Sequence, residues 1–254
     1  MLLALVAALF GLLMGSFLNV VIHRVPQRLS VVSPRSACPG CGTTLAERDN
    51  VPVLSWLVLK GKCRTCAMRI SPRYPLVELA TAALFATAAI RLGADWALPA
   101  FCLFFGALLA IALIDLEHFI VPNRIVFPML AVSVPLLALA ALLQDDWGSL
   151  ATGVIGALIA SNGLLLINLI NPRGMGMGDV KLALLLGLFL GWLGLGHVAL
   201  GLFLGFLFGA VGGILLIALG IKTRKDPVPF APFLAAGAMV AVLVGNALLD
   251  RYPV

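Results

Sequence analysis

ALPAFCLFFGALLAIALID, at residues 97–115, is an almost entirely apolar segment that ends in an aspartate. Its length matches the roughly 20 residues that a helix needs to cross the hydrocarbon core of a bilayer. The whole sequence has the same character, since 62% of its 254 residues are hydrophobic, 11% are charged and the mean hydropathy is +1.11. Soluble domains carry about 25% charged residues. We therefore predict a polytopic membrane protein.

Apolar segments of similar length recur along the chain and predict an all-α fold with about eight transmembrane helices. The joint between the sixth and seventh segments, at residues 194–197, is the least certain boundary, because merging them would leave seven spans and reverse the C-terminus. The predicted spans are approximately 2–22, 75–91, 97–115, 125–143, 150–170, 180–195, 197–220 and 231–249.

The distribution of basic residues predicts the orientation of these spans. If both termini lie outside, fifteen of the seventeen lysines and arginines fall on the cytoplasmic side, as the positive-inside rule requires, and only Arg91 and Arg251 do not. The net charge of +6 then reflects topology, and we predict no nucleic-acid partner. The inner basic residues are Arg24, Arg28, Arg35, Arg48, Lys60, Lys62, Arg64, Arg69, Arg73, Arg124, Arg173, Lys181, Lys222, Arg224 and Lys225.

The first apolar segment could instead be a cleaved signal peptide. A signal peptide carries its basic residues before the apolar core, whereas Arg24 and Arg28 follow this one. We therefore predict a retained first transmembrane helix at 1–23, a small cytoplasmic module at 24–74 and a seven-helix membrane domain at 75–254.

The polar module contains two Cys-x-x-Cys pairs with 21 residues between them. Four thiolates in such pairs form a tetrahedral zinc site, which stabilises a loop too short to have its own core. Disulfides are the alternative, but thiols in the reducing cytoplasm stay reduced. A redox-active pair would need a surrounding βαβ pattern, which is absent. We predict a zinc-ribbon-like module with a structural Zn²⁺ bound by Cys38, Cys41, Cys63 and Cys66.

Two aspartates stand at the polar ends of apolar segments. Asp115 precedes Pro122-Asn123, and Asp179 ends the stretch Gly174-Met175-Gly176-Met177-Gly178-Asp179. A carboxylate at the membrane edge is costly to keep, which indicates function. Two neighbouring carboxylates can share one proton and hydrolyse an amide, provided that these two meet. Taken alone, Asp179 is better explained as a helix cap, a role that can coexist with catalysis.

Three further polar residues lie within the apolar segments. Glu78 needs a partner, for which Arg73 or a substrate amine is a candidate. Asn162 and Asn168 are predicted to form hydrogen bonds between helices.

Together these motifs resemble one family, the bacterial type IV prepilin peptidases. The resemblance runs nearly from end to end of the chain, and it includes both cysteine pairs, Asp115 with Pro122-Asn123, and Gly176-Met177-Gly178-Asp179. The Gly-x-Gly-Asp pattern alone would be weak, whereas the combination is specific. The other matching motifs are Gly15-Ser16-Phe17-Leu18-Asn19-Val20 with His23-Arg24, Arg73-Tyr74-Pro75-Leu76-Val77-Glu78, and Pro229-Phe230-Ala231-Pro232-Phe233.

The resemblance implies a membrane aspartic endopeptidase whose catalytic residues are Asp115 and Asp179. Such an enzyme removes a short basic leader from a prepilin or pseudopilin of a type IV pilus or type II secretion system, at the cytoplasmic face of the bacterial inner membrane. It further implies N-methylation of the new amino terminus with S-adenosyl-L-methionine, because family members that lack the cysteine module are usually peptidases only, whereas this chain has all four cysteines. Asn19, Arg73 and Glu78 are candidate contacts for substrate or S-adenosyl-L-methionine.

Four other functions remain open at this point. The chain could be a peptidase without methyltransferase activity, or a presenilin-like protease, which also uses a Gly-x-Gly-Asp aspartate but would not explain the cysteine module. A proton-coupled transporter also carries acids inside its bundle, but such transporters often contain inverted repeats, and we find no convincing repeat. A zinc-bearing assembly scaffold without catalysis is the fourth.

Overall fold

A computed structural model describes residues 1–172, 174–223 and 226–250. These residues form helices and no strand, with only two isolated bridges between single residues, so the all-α prediction is confirmed for them. Contacts divide the chain into two units, Met1–Ala94 and Asp95–Val254. Four of the basic residues used to predict the topology lie outside the described residues: Arg173, Arg224, Lys225 and Arg251.

The first unit consists of two long helices and the polar segment that connects them. The helices pack at backbone contact, because a Cβ on Gly11 would lie 2.7 Å from the Ala82 Cα and one on Gly15 would lie 2.6 Å from the Glu78 Cα. Small residues at such contacts are typical of helices that pack in a membrane. The helices are α1 (Leu2–Arg24), the short α2 (Leu54–Val58) and α3 (Arg73–Leu92), with a 3₁₀ turn at Glu47–Asp49.

The second unit is a bundle of six helices, of which α7 is the central one. Most residues of α7 are buried. The ring of Phe189 on α7 stacks on that of Phe104 on α4, with centroids 4.2 Å apart. Glycines also bring α6 and α7 into backbone contact, since a Cβ on Gly156 would lie 2.6 Å from the Gly187 carbonyl oxygen. The helices are α4 (Leu98–His118), α5 (Asn123–Gln144), α6 (Trp147–Ile170), α7 (Met177–Leu193), α8 (Leu195–Ala218) and α9 (Ala231–Leu249).

The eight predicted apolar segments correspond to the eight long helices among the described residues. By length and composition, seven of them could cross a membrane, namely all except α7. The 17 residues of α7 span about 25 Å at 1.5 Å per residue, slightly less than a hydrocarbon core of about 30 Å. The boundary between the sixth and seventh segments lies at Gly194. This glycine has a φ of 126°, which ends α7 before α8 begins.

Candidate active site

Asp115 lies one turn before the end of α4, and not at the end of the helix as predicted. The helix continues to His118 and stops where Phe119 takes a left-handed backbone conformation, with φ of 56°. The Asp115 side chain is buried, and its Oδ2 accepts a hydrogen bond of 3.1 Å from the backbone N–H of Ala231. The first residue of α9 is therefore a direct partner of this carboxylate.

The start of α9 leaves this amide available. Pro232 has no N–H, and the N–H of Phe233 donates to the Phe230 carbonyl at 3.1 Å. The N–H of Ala231 thus remains free to donate to Asp115. Because the amino end of a helix carries a partial positive charge, it also favours a carboxylate at this position.

Asp179 is the third residue of α7, where it belongs to a capping arrangement without being the cap itself. The helix is capped by Gly176, and the backbone N–H of Gly176 donates to the Asp179 carboxylate. An acid at the third position that bonds back to the cap amide is half of a capping box. The side chain is 8% exposed, so the carboxylate is enclosed, whereas an ordinary surface capping residue is solvated.

Gly178 lets the start of α7 touch the loop that follows Asp115. A Cβ at this glycine would lie 2.9 Å from the Val121 Cβ, so any larger residue would force the two segments apart. Nearby, the Lys181 ammonium donates to Asn123 Oδ1 at 3.2 Å. These contacts hold the residues around Asp179 against the α4–α5 loop.

The two acids, 64 positions apart in sequence, are close enough in the fold to interact electrostatically. Both are buried, and each accepts a backbone hydrogen bond at the start of a helix. Such an enclosed pair of carboxylates has the composition needed for acid–base chemistry.

Two family models match the chain in succession. The bacterial peptidase A24 N-terminal domain matches residues 9–92, and the type IV leader peptidase family matches residues 102–217. The chain is also 38% identical to a protein of Bacillus subtilis named prepilin leader peptidase/N-methyltransferase, over 96% of this chain and 95% of that relative. The chain belongs to the type IV leader peptidase family.

Other relatives of this leader peptidase family member carry the same name. Those from Aeromonas hydrophila and Pseudomonas aeruginosa are 37% and 36% identical, each over 96% of this chain and 91% of the relative. No solved structure is significantly similar. The family resemblance predicted from the motifs is confirmed, and with it a multi-pass membrane protein.

The cysteine module of this leader peptidase family member is built from two similar turns. In the first turn, the Cys38 N–H donates to Thr43 and the Gly42 N–H donates to Cys38; in the second, the Cys63 N–H donates to Met68 and the Ala67 N–H donates to Cys63. Each turn directs two thiols to a common point. The ligand sulfurs of Cys38, Cys41, Cys63 and Cys66 all lie within 4.8 Å of one another.

The four thiols could hold a metal ion. The sulfurs of Cys38 and Cys66 are 3.7 Å apart, close to the ~3.8 Å expected between two ligands of a tetrahedron with metal–sulfur bonds of about 2.3 Å. This separation is far longer than a disulfide bond of about 2.05 Å, and all four cysteines are free.

The thiols of the cluster differ in acidity because they share hydrogen bonds. The side chain and backbone of Thr43 lower the pKa of Cys41 to about 6. The pKa of Cys66 is raised to about 11, because desolvation and the three neighbouring thiols outweigh the lowering effect of the Met68 backbone. A bound metal would replace this proton sharing, since it binds thiolates and releases their protons.

The structure gives partners to several other predicted residues. Glu78 Oε2 accepts from the Val53 backbone N–H at 2.7 Å, a contact that links α3 to the polar segment. Asn19 Nδ2 donates to the Tyr74 carbonyl at 3.1 Å. The prediction of an interhelical bond is wrong for Asn162, which donates to Leu158 one turn earlier in its own helix.

Sequence reasoning missed the roles of Asn168 and Ala231. Asn168 Nδ2 donates to the Met175 carbonyl at 2.6 Å and so fixes the glycine-rich segment before α7. An asparagine at the end of an apolar segment next to a glycine-rich turn was the available signal. For Ala231 the available signal was Pro232, because a proline near the first position of a helix indicates a helix start. The backbone N–H of the residue before it then has no partner within the helix.

Proposed function

We propose that this chain cleaves the short basic leader from type IV prepilins or pseudopilins, with Asp115 and Asp179 as the catalytic residues. The observation that carries the proposal is the buried pair of carboxylates, each positioned by a backbone amide. The names of the relatives supply the substrate class.

The chemistry follows from one shared proton. The ionised carboxylate takes a proton from water as the water oxygen attacks the scissile carbonyl carbon, and the protonated carboxyl donates its proton to the carbonyl oxygen. The tetrahedral gem-diol then collapses: one of its hydroxyls returns a proton to the ionised carboxylate, the carbon–nitrogen bond breaks, and the leaving nitrogen takes the proton held by the other carboxyl. The two acids end with one proton between them, as at the start.

We place this site at the cytoplasmic face of the inner membrane, with both termini outside. Basic residues surround the described loops at the same end of the second unit, as inner loops require. Lys181 bonds to Asn123, the Lys222 ammonium lies 5.7 Å from the centroid of the Phe119 ring, and Arg124 is in the first turn of α5. A leader with basic residues would stay on this side of the membrane.

We further propose that the four thiols hold Zn²⁺ and that residues 24–74 form a module whose fold depends on it. The sulfur separations fit a tetrahedral ion, and an all-thiolate set favours zinc among the common divalent ions. With all four positions taken by protein, the ion would stabilise the two turns and take no part in peptide cleavage.

N-methylation of the new amino terminus with S-adenosyl-L-methionine is proposed from the relatives' names alone. Two cavities among the described residues have mainly cationic charged side chains in their linings, and these would repel the sulfonium of this cofactor. One of them contains Arg24 and Arg35, and the other contains Lys60, Lys62 and Arg69. We assign no residue to the methyl donor.

The test is leader release from a synthetic prepilin by the purified full-length protein. Asp115→Asn and Asp179→Asn should each lower the rate by at least about 10³-fold, because each removes one partner of the acid–base pair. Asp145→Asn is the matched control, since Asp145 is an exposed residue with φ of 54° that asparagine also tolerates. Cleavage at the wild-type rate by both dyad variants would refute the proposal.

The same reaction tests the second activity. With labelled S-adenosyl-L-methionine present, we expect label on the new amino terminus of the mature pilin. An unlabelled mature product would leave a peptidase without methyltransferase activity.

A further inference from the structure

The cysteine module contains an open cavity with a strongly cationic lining. The cavity has a volume of about 500 Å³, and its lining includes the side chains of Lys60, Lys62 and Arg69 together with Trp56 and Ser71. No carboxylate lines it. A cavity with three cations, a hydroxyl and an indole has the composition of a site for a phosphate-bearing ligand.

Two of these cations oppose each other across a backbone bridge. Lys62 and Arg69 are directly paired in the antiparallel bridge that closes the second cysteine turn. Like charges at such a position destabilise the pairing, so the arrangement favours an anion that could lie between them.

The acidic residues of the module are already engaged elsewhere. Glu47 and Asp49 are the only acids between residues 25 and 72. Asp49 accepts hydrogen bonds from the Arg64 guanidinium at 2.7 and 3.1 Å, and Glu47 pairs with Arg35 at 3.3 Å. The positive charge of the cavity is therefore not compensated from within the module.

Backbone contacts fix the shape of this cavity. The Trp56 indole donates to the Ile70 carbonyl at 3.1 Å, the Gly61 N–H donates to Trp56, and the Ile70 N–H donates to Gly61. Gly61 has φ of 66°, and a Cβ there would lie 2.9 Å from the Trp56 ring. The indole, the glycine turn and the bridge thus form one rigid frame that carries the cations.

The surroundings of the cavity favour a membrane lipid as its occupant. Pro72 is part of the lining and caps α3, which is long and apolar enough to cross a membrane; a bilayer crossed by α3 would have its boundary next to the cavity. The neighbouring α2 also exposes large apolar side chains, with Leu54, Leu57 and Val58 exposed by 61%, 57% and 75%. Exposed apolar residues beside basic residues are typical of a surface that binds anionic membranes.

We propose that this cavity binds the headgroup phosphate of an anionic phospholipid and so docks the cysteine module onto the membrane surface. The phosphate would lie among Lys60, Lys62 and Arg69, while the apolar residues of α2 would enter the boundary region of the acyl chains. The proposal rests on α3 crossing the membrane and is independent of peptide cleavage.

The test compares lipid binding by full-length variants in a nonionic detergent. Native mass spectrometry would measure the affinities for phosphatidylglycerol and for phosphatidylcholine with identical acyl chains. We expect the wild-type protein to prefer phosphatidylglycerol by about 10-fold or more, and the variant Lys62→Gln with Arg69→Gln to lose roughly 30-fold in phosphatidylglycerol affinity, or about 5-fold for each cation.

A matched control removes the same charge from another part of the module. Arg35→Gln with Arg48→Gln also deletes two cations, but neither residue lines the cavity, so the affinity should change less than about threefold. Lys60 lines the cavity but is not part of the Lys62–Arg69 bridge, so Lys60→Gln tests the site without disturbing the cysteine turn. We expect this variant to lose about 5-fold in phosphatidylglycerol affinity.

Any of the following results would overturn the proposal. The first is equal binding of the two lipids. The second is either a loss in the control as large as that in the cavity variants or no loss for Lys60→Gln. The third is competition by inorganic phosphate at the same molar concentration as the lipid, which would indicate a site for soluble anions.

Discussion

The aspartate pair and the cysteine module are organised by opposite means. Asp115 and Asp179 are positioned by secondary structure, since helices packed through phenylalanines and glycines bring two helix starts to the two carboxylates. The cysteine module has almost no buried apolar residues, and its two turns meet at the four sulfurs and where Met68 packs against Gly40. Helix packing is therefore enough to position the first site, whereas the second site, on our proposal, needs a metal ion in order to fold.

The largest effect should follow removal of the thiol ligands. We expect Cys38→Ser with Cys63→Ser to lose all bound metal, because the remaining two thiolates cannot complete a tetrahedral site. Limited proteolysis should then cut within residues 25–72, while the second unit keeps its helices. Metal content and cleavage sites would be measured together by mass spectrometry.

The control for that variant is Cys102→Ser, a buried cysteine of α4 that is not part of the cluster. It should retain the metal. Unchanged zinc content in the variant Cys38→Ser with Cys63→Ser would refute the ligand assignment and remove the contrast between the two regions.

The next largest effect should come from Gly178. Gly178→Val would place methyl groups where the Val121 side chain lies, which would displace the start of α7 and with it Asp179. We expect leader cleavage to fall by roughly 100-fold, since a shift of about 1 Å in a catalytic group costs that much. The rate constant kcat, measured at saturating prepilin, should carry the loss.

Gly163→Val is the matched change, because a Cβ at Gly163 meets no atom within 4 Å. This variant should cleave at a rate close to wild type. Equal losses in both variants would mean that the glycines matter for helix insertion in general and not for the position of Asp179.

A smaller effect is expected at Asn168. Asn168→Leu keeps the approximate volume but removes the amide that donates to the Met175 carbonyl, so the segment before α7 should become less well fixed. We expect a loss of about 10-fold in kcat, consistent with one neutral hydrogen bond, and little change in KM.

Asn162→Leu provides the comparison, because this asparagine bonds only within its own helix among the described contacts. Its rate should stay within about twofold of wild type. If Asn168→Leu raised KM at constant kcat, Asn168 would contribute to substrate binding, and its proposed positioning role would be wrong.

The smallest effect concerns the pair Arg64–Asp49, which lies next to the cysteine cluster. Arg64 holds the pKa of Asp49 below its usual value, chiefly by hydrogen bonding. We expect Arg64→Gln to make the metal easier to remove with a chelator, by a small factor that about 1 M salt reduces but does not abolish, because salt screens the Coulombic part of the pair while the hydrogen bonds to the largely buried Asp49 carboxylate remain.

Arg35→Gln, in the exposed pair with Glu47, is the control and should leave the chelation rate unchanged. A salt-independent effect of Arg64→Gln would mean that the arginine acts through packing.

The helices were predictable from the sequence to within a few residues, because long apolar segments have few alternatives to helices in a membrane. The end of α4 was not, since it depends on the left-handed conformation of Phe119, which is rare for an aromatic residue. The identities of the two aspartates followed from their positions at the ends of apolar segments. Their partners did not, because Ala231 and Gly176 contribute backbone amides that no side-chain pattern reveals.

We propose that Asp115 and Asp179 act as one catalytic pair. The most direct measurement is the rate of leader release by Asp115→Asn, by Asp179→Asn and by the double variant, each with unchanged thermal stability. We predict that either single change lowers the rate by at least about 10³-fold and that the double change costs little more, because residues that act as a unit are not additive. Substantial cleavage by either single variant, or losses that multiply in the double variant, would contradict the account.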